Sequence, residues 1–136
     1  MFKRIVVGGT FDGLHEGHRK IVSTAFENAE SVVLGLTSDD FARRFRTRDV
    51  SPYSERSRAL EDLVKDYGKP YDVVEINDSY GIATIDPGVD CIVVSDETLL
   101  RAEEINTIRF KKGLPRLTII VVPLVLDGNG RPVSSR

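Results

Sequence analysis

From Ser31 to Thr37 the chain runs Ser-Val-Val-Leu-Gly-Leu-Thr, almost wholly apolar and without the alternation of a half-wet strand. A continuous run of this kind belongs to a strand covered on both faces, which is the situation inside a parallel sheet packed between helices. The residues before it agree. Lys20 to Glu30 sets Ile21, Val22, Ala25, Phe26 and Ala29 on one helical face, and Ile5-Val6-Val7 forms a shorter apolar run ahead of that. Strand, helix and strand make one βαβ unit.

The rest of the chain extends the same pattern. Ser51-Pro52 predicts a helix start, with serine as N-cap and proline at the first helical position, running through Tyr53 to Tyr67 until Gly68 stops it. Tyr71–Ile76 is the expected third strand, Cys91–Val94 the fourth and Leu117–Val122 the fifth. Between them, residues 77 to 90 have no period, and Gly81, Pro87 and Gly88 predict an irregular connection with a short helix. Ser95 to Thr98 caps a helix of about fifteen residues, which ends at Gly113 after Lys111-Lys112. Asp127-Gly128-Asn129-Gly130 has the composition of a tight turn. The expected fold is α/β: one Rossmann-like, doubly wound domain over residues 1 to 136, a five-stranded parallel sheet flanked by helices.

Size and charge narrow the function. With 136 residues and 40% hydrophobic content the chain supports one domain with a real core. A net charge of −2 argues against a general nucleic-acid or membrane-surface binder, so neither is expected as a partner, and any anion site must be local. Nothing in the sequence specifies an oligomeric state. The lone Cys91 opens the run Cys91-Ile92-Val93-Val94 and is expected to be a buried, inert thiol. Met1-Phe2-Lys3-Arg4 lacks the apolar segment and cleavage site of a secretory signal, and the longest apolar run, Leu117 to Leu126, is interrupted by Pro123. A cytoplasmic protein is expected.

The chemistry concentrates in Gly8-Gly9-Thr10-Phe11-Asp12-Gly13-Leu14-His15-Glu16-Gly17-His18, the turn between the first strand and first helix. Glycines permit a tight turn and close approach to a ligand, and the helix that follows offers unpaired N–H groups to an anion. A Walker A loop would need Lys and Ser/Thr where Leu14-His15 stand, and the dinucleotide fingerprint G-x-G-x-x-G is absent from this turn. Instead His15 and His18, the chain's two histidines, sit at i and i+3, close enough to converge on one ligand. A transition-metal reading of the pair lacks a third ligand of matching spacing, so no protein-held metal is expected.

Gly9-Thr10-Phe11-Asp12, His15 and Gly17-His18 resemble the T/HxGH signature of the nucleotidylyltransferase superfamily, whose members transfer a nucleotidyl group and release pyrophosphate. Within it the chain is most similar to the archaeal phosphopantetheine adenylyltransferases, through Ser51-Pro52-Tyr53-Ser54-Glu55-Arg56, Ser95-x-Glu97-Thr98 with Ala102 and Ile105-Asn106, and Pro132-Val133-Ser134-Ser135. The likeness covers nearly the whole chain. It implies that the phosphate of 4′-phosphopantetheine attacks the α-phosphorus of ATP, giving dephospho-CoA and pyrophosphate. A phosphate monoester is already charged at neutral pH, with a second pKa of about 6, so alignment and charge neutralisation are needed rather than a base.

The resemblance assigns Thr10, His15 and His18 to catalysis, the histidines as N–H donors that are strongest as imidazolium. ATP falls to Gly9, Thr10, Phe11, Gly17, His18, Ser95, Glu97, Thr98, Ser134 and Ser135, with Asn106 and Arg109 as further candidates. The acceptor falls to Thr10, Arg43 or Arg44, Arg56, Gly81 and Ile82, with Tyr80 beside them. Magnesium is expected to arrive with the triphosphate. The turn alone leaves open a cytidylyltransferase, an adenylyltransferase of flavin or nicotinamide mononucleotide, or a non-catalytic nucleotide-binding module. The family usually has Ser-Ser-Thr-Arg and then a terminal helix, whereas this sequence has Ser134-Ser135-Arg136 and stops. One turn cannot sustain a helix, so the serine clasp is expected to hold the β- and γ-phosphates less firmly.

Overall fold

In the computed structural model, which describes residues 1–44 and 49–123, β1 (Phe2–Gly9) is the central strand of a five-stranded sheet. β2 (Ala29–Thr37) and β3 (Tyr71–Ile76) extend it on one side, β4 (Cys91–Ser95) and β5 (Thr118–Val122) on the other. The order is β3-β2-β1-β4-β5 and every pairing is parallel. Strand order reverses between β1 and β4, and in open α/β sheets the ligand crevice lies at that reversal, beyond the carboxyl ends of the strands.

Helices α1 (Glu16–Asn28) and α3 (Tyr53–Val64) cover one face of the sheet, where Ile5, Val7 and Leu34 meet Val22, Phe26, Leu60 and Val64. Helix α4 (Leu99–Lys111) and a 3-10 turn at Gly81–Thr84 cover the other, where Val6, Val33, Ile92 and Val94 meet Ala83, Ala102 and Ile105. Ile5, Val6 and Val7 thus feed opposite cores in turn, and this is the cause of the unbroken apolar runs. A fully buried Phe26 or Leu60 contributes about 1.5–3 kcal/mol by removal from water. Cys91 lies wholly inside, and burial pushes its thiol up to about 12, which makes it inert at neutral pH.

Most boundaries fall near their expected places, and the differences have local causes. Helix α1 begins at Glu16 rather than Lys20, because His15 supplies the N-cap from its ring. Helix α3 is preceded by Pro52, which makes no side-chain cap bond, and Ser51 is not the cap. Asp39, at the start of the short α2 (Asp39–Arg44), accepts the Tyr53 N–H at 2.9 Å instead. Gly68 and Gly113 stop their helices with φ of 71° and 77°, a left-handed conformation that costs glycine nothing. The helix expected from Ser95 is a 3-10 turn at Asp96–Thr98 leading into α4. The turn expected at residues 127 to 130 lies outside the described residues. No described helix is long and apolar enough to cross a membrane.

Asn106 and Arg109, candidates for the nucleotide on sequence grounds, are structural. Asn106 donates from Nδ2 to the Leu117 carbonyl at 3.0 Å and accepts the Leu117 N–H at 2.7 Å, which fastens the approach to β5. Arg109 is fully buried and donates to the carbonyls of Pro115, Ala83, Asp86 and Val89 at 2.8, 2.8, 2.9 and 3.3 Å. Burial pulls its pKa down, and the carbonyl ring with the nearby Asp86 is what keeps the charge tolerable there. Arg109→Met keeps the stem's volume but strands these carbonyls, and should lower the unfolding free energy by about 3 kcal/mol or more. Arg101→Met, at an exposed position of the same helix, should change it by under about 0.5 kcal/mol. Urea titration compares the two; equal losses would mean that water takes over the carbonyls.

Candidate active site

The turn after β1 is shaped by aromatic rings as much as by glycine's tolerance. Phe11 adopts φ of 51°, a strained value for a residue with a side chain, and its ring folds back into the core at 3% exposure. A Cβ on Gly9 would lie 3.2 Å from the Phe11 ring, so glycine at position 9 makes room for phenylalanine. Gly17 plays the same part for His15, whose ring would stand 2.8 Å from an added Cβ.

The two histidines cap the helix for each other. His15 Nδ1 accepts from the N–H groups of Gly17 and His18 at 3.0 and 3.3 Å, and His18 Nδ1 accepts from the His15 N–H at 3.3 Å. Their rings stack at 3.8 Å with 15° between planes, and Phe11 tilts against His18 at 5.3 Å. A ring nitrogen that accepts carries no proton, so the cap fixes both neutral rings in the tautomer with hydrogen on Nε2. Imidazolium donors of the kind expected beside bound phosphates would carry a second proton on Nδ1 and would have to give up this cap. The helix start and the two Nε2–H groups are set by one arrangement.

Beyond the carboxyl ends of β1 and β4 lies a cleft of about 580 Å³. Its lining includes Gly9, Thr10, Phe11, His15, Gly17 and His18 from the turn and first helix. Ser95, Glu97 and Thr98 line it after β4, where the Ser95 N–H donates to Thr98 Oγ1 at 3.2 Å. Gly81 and Ile82 line it from the crossover after β3, beside the apolar Ile76, Ala102 and Ile105. Gly81 has φ of 51°, and a Cβ there would come within 3.0 Å of Ile76, so both backbone and space select glycine. Tyr80 reaches across to α4 and donates to Glu104 Oε2 at 2.7 Å, a bond that raises its phenol pKa.

Several arginines are placed differently from the acceptor-binding roles implied above. Arg43 is exposed and pairs with Asp40 at 3.3 Å; Arg44 is exposed too, and neither lines the cleft. Arg56 lies beneath the turn at 2% exposure, not in the cleft. Its Nε donates to the Ser51 carbonyl at 2.7 Å, Nη1 to the carbonyls of Thr10 and Thr37 at 3.0 and 2.9 Å, and Nη2 to Asp39 Oδ1 at 3.0 Å. Glu55, its neighbour in the motif, is exposed. Ser134 and Ser135 lie outside the described residues.

Two lining residues carried no signal in the sequence. Arg101, on α4, is the one lysine or arginine among the described residues that line the cleft. In sequence it is one charge on a mixed helix face. Thr37 ends β2 at 6% exposure and donates from Oγ1 to Thr10 Oγ1 at 3.0 Å. A threonine closing an apolar strand looks like any other strand end. Among the described residues no group of three or more His, Cys, Asp or Glu side chains is gathered closely enough to hold a metal ion.

The sequence matches the family model described as Cytidylyltransferase-like over residues 6–136. It is 46% identical over 136 residues to a phosphopantetheine adenylyltransferase of Methanopyrus kandleri, covering 98% of this chain and 87% of that one. A phosphopantetheine adenylyltransferase of Pyrobaculum aerophilum is 41% identical over 136 residues, covering 98% and 88%. Among solved structures, a protein of unknown function from Archaeoglobus fulgidus matches with a TM-score of 0.78 and 35% identity over 88% of each chain. With the family model spanning nearly the whole chain and relatives of this similarity, the protein belongs to the cytidylyltransferase-like family of nucleotidyltransferases.

Proposed function

We propose that this protein transfers the adenylyl group of ATP to 4′-phosphopantetheine, yielding dephospho-CoA and pyrophosphate in coenzyme A biosynthesis in the cytoplasm. The observation that carries the reading is the division of one cleft into a phosphate end and an apolar arm. At the phosphate end stand the Thr10 hydroxyl, the His15 and His18 rings and the opening of α1. Along the arm lie Ile76, Gly81, Ile82, Ala102 and Ile105, with Asp78, Ser79 and Tyr80 beside them, a mostly apolar lining with a few polar groups suited to a slender chain that carries amides. The names of the relatives favour the same substrates.

In this mechanism the acceptor phosphate is already an anion, and the protein aligns it in line with the α-phosphorus. Thr10 donates to a phosphate oxygen between the two substrates, and Nε2–H of His18 and His15 to the oxygens where charge grows in the transition state. Magnesium enters as part of the substrate, MgATP. Backbone groups of residues 95 to 98 receive adenine, and Ser134 and Ser135 are assigned to the β- and γ-phosphates by resemblance. Arg101 supplies the fixed positive charge that Arg43, Arg44 and Arg56 do not bring to the cleft.

The experiment is a pyrophosphate-release screen crossing ATP and CTP with phosphopantetheine, nicotinamide mononucleotide, flavin mononucleotide and glycerol 3-phosphate. Release should require ATP and phosphopantetheine together, because the reading has the cleft align two phosphates for direct transfer; equal release from ATP alone defeats the proposal. His18→Asn offers an amide oxygen where Nδ1 accepts, and so keeps the cap while removing the Nε2 donor. It should lower kcat by ~10²-fold at nearly unchanged Tm. A variant with altered KM alone would reduce His18 to a binding group. Arg101→Ala should cost about tenfold or more in kcat/KM, the worth of one charge-assisted contact.

A further inference from the structure

Thr37 completes a hydrogen-bond chain whose direction is fixed at its buried end. Arg56 Nη1 donates to Thr37 Oγ1 at 3.3 Å and to the Thr37 carbonyl at 2.9 Å, and the same nitrogen holds the Thr10 carbonyl at 3.0 Å. Two hydrogens serve three acceptors, so one of the two is shared. A guanidinium has donors only and stays charged, so it cannot accept from Thr37. Facing this cation, the Thr37 hydroxyl turns its oxygen inward and its hydrogen away. That hydrogen goes to Thr10 Oγ1 at 3.0 Å. Thr10 Oγ1 is therefore occupied as an acceptor on its buried side, and its own hydrogen is turned toward the cleft that Thr10 lines.

We propose that Arg56, Thr37 and Thr10 form a one-way donor relay that presents the Thr10 hydroxyl to a substrate phosphate oxygen as a donor, with Thr37 a positioning residue for transfer. This rests on the adenylyl-transfer reading above. A lone threonine hydroxyl can donate or accept, and a phosphate oxyanion accepts only. Any population of Thr10 rotamers with the hydrogen turned inward would present a lone pair to an anion. The relay removes that population before substrate arrives, and Arg56 contributes without touching substrate.

The test combines kinetics with a hydrogen position. Thr37→Val keeps the shape and the carbonyl but removes the hydroxyl. It should lower kcat about 5- to 10-fold, the worth of one neutral hydrogen bond, with each KM within about twofold. Thr37→Ser, which restores the hydroxyl, should recover kcat to within about threefold. In a Thr10→Val background, Thr37→Val should add less than about twofold, since it acts through Thr10. A serine variant as slow as valine, an unchanged kcat in Thr37→Val, or effects that simply multiply would each overturn the relay. Neutron diffraction of the deuterium-exchanged protein should place the Thr37 deuteron on the line to Thr10 Oγ1; a Thr10 deuteron pointing at Thr37 would overturn the relay whatever the kinetics. If the wild-type protein transfers nothing to phosphopantetheine, the functional reading fails, and the deuteron map still decides the relay.

Discussion

A buried positive charge under the phosphate turn sets the terms for everything above it. Arg56 has 1% side-chain exposure, and its ion partner Asp39, 3.0 Å away, is itself 37% exposed. An ammonium or guanidinium taken out of water is tolerated only when its donors are satisfied, and one carboxylate is not enough. The other acceptors are the main-chain carbonyls of Ser51, Thr10 and Thr37 and the Thr37 hydroxyl, drawn from the approach to α3 and from the ends of β1 and β2. Three chain segments must therefore converge for the charge to stay buried, and their convergence is the floor of the site. Asp39 adds a fourth constraint, since the oxygen that pairs with Arg56 also accepts the first N–H of α3.

The sheet was legible in the sequence because its signals are local and redundant. Unbroken apolar runs, a one-sided helix and glycines at Gly68 and Gly113 each fixed an element independently of the rest. The start of α1 was not, since histidine is outside the usual N-cap set and its ring accepts here only because His18 reciprocates. The start of α3 failed for the opposite reason. Ser51-Pro52 has the residues of a cap, but Asp39, distant in sequence, had already taken the N–H in question.

The same split runs through the site. Gly9, Thr10, Phe11, His15, Gly17 and His18 act within one turn, so spacing and residue type carried them from sequence to cleft. Arginines did not transfer in this way. An arginine that grips a phosphate and one that gathers carbonyls inside the core have the same donors and the same letter, and only burial separates them. Arg56 and Arg109 proved to be gatherers, Arg43 and Arg44 stand in solvent, and Arg101 is the one arginine among the described residues that line the cleft. Thr37 was invisible because its importance lies in whom its hydroxyl faces, which no run of neighbours encodes.

The guanidiniums of Arg56 and Arg109 lie on opposite faces of the sheet and share no partner among the described residues. Arg56 ties the segments beneath the phosphate turn, and Arg109 ties the crossover containing Ala83, Asp86 and Val89 that walls the apolar arm. The two halves of the cleft are thus wired to separate anchors. A lineage could remodel the arm around Arg109 to admit a different acceptor while inheriting the turn around Arg56 unaltered. An architecture of this kind lets one nucleotidyl-transfer device diversify by swapping a wall.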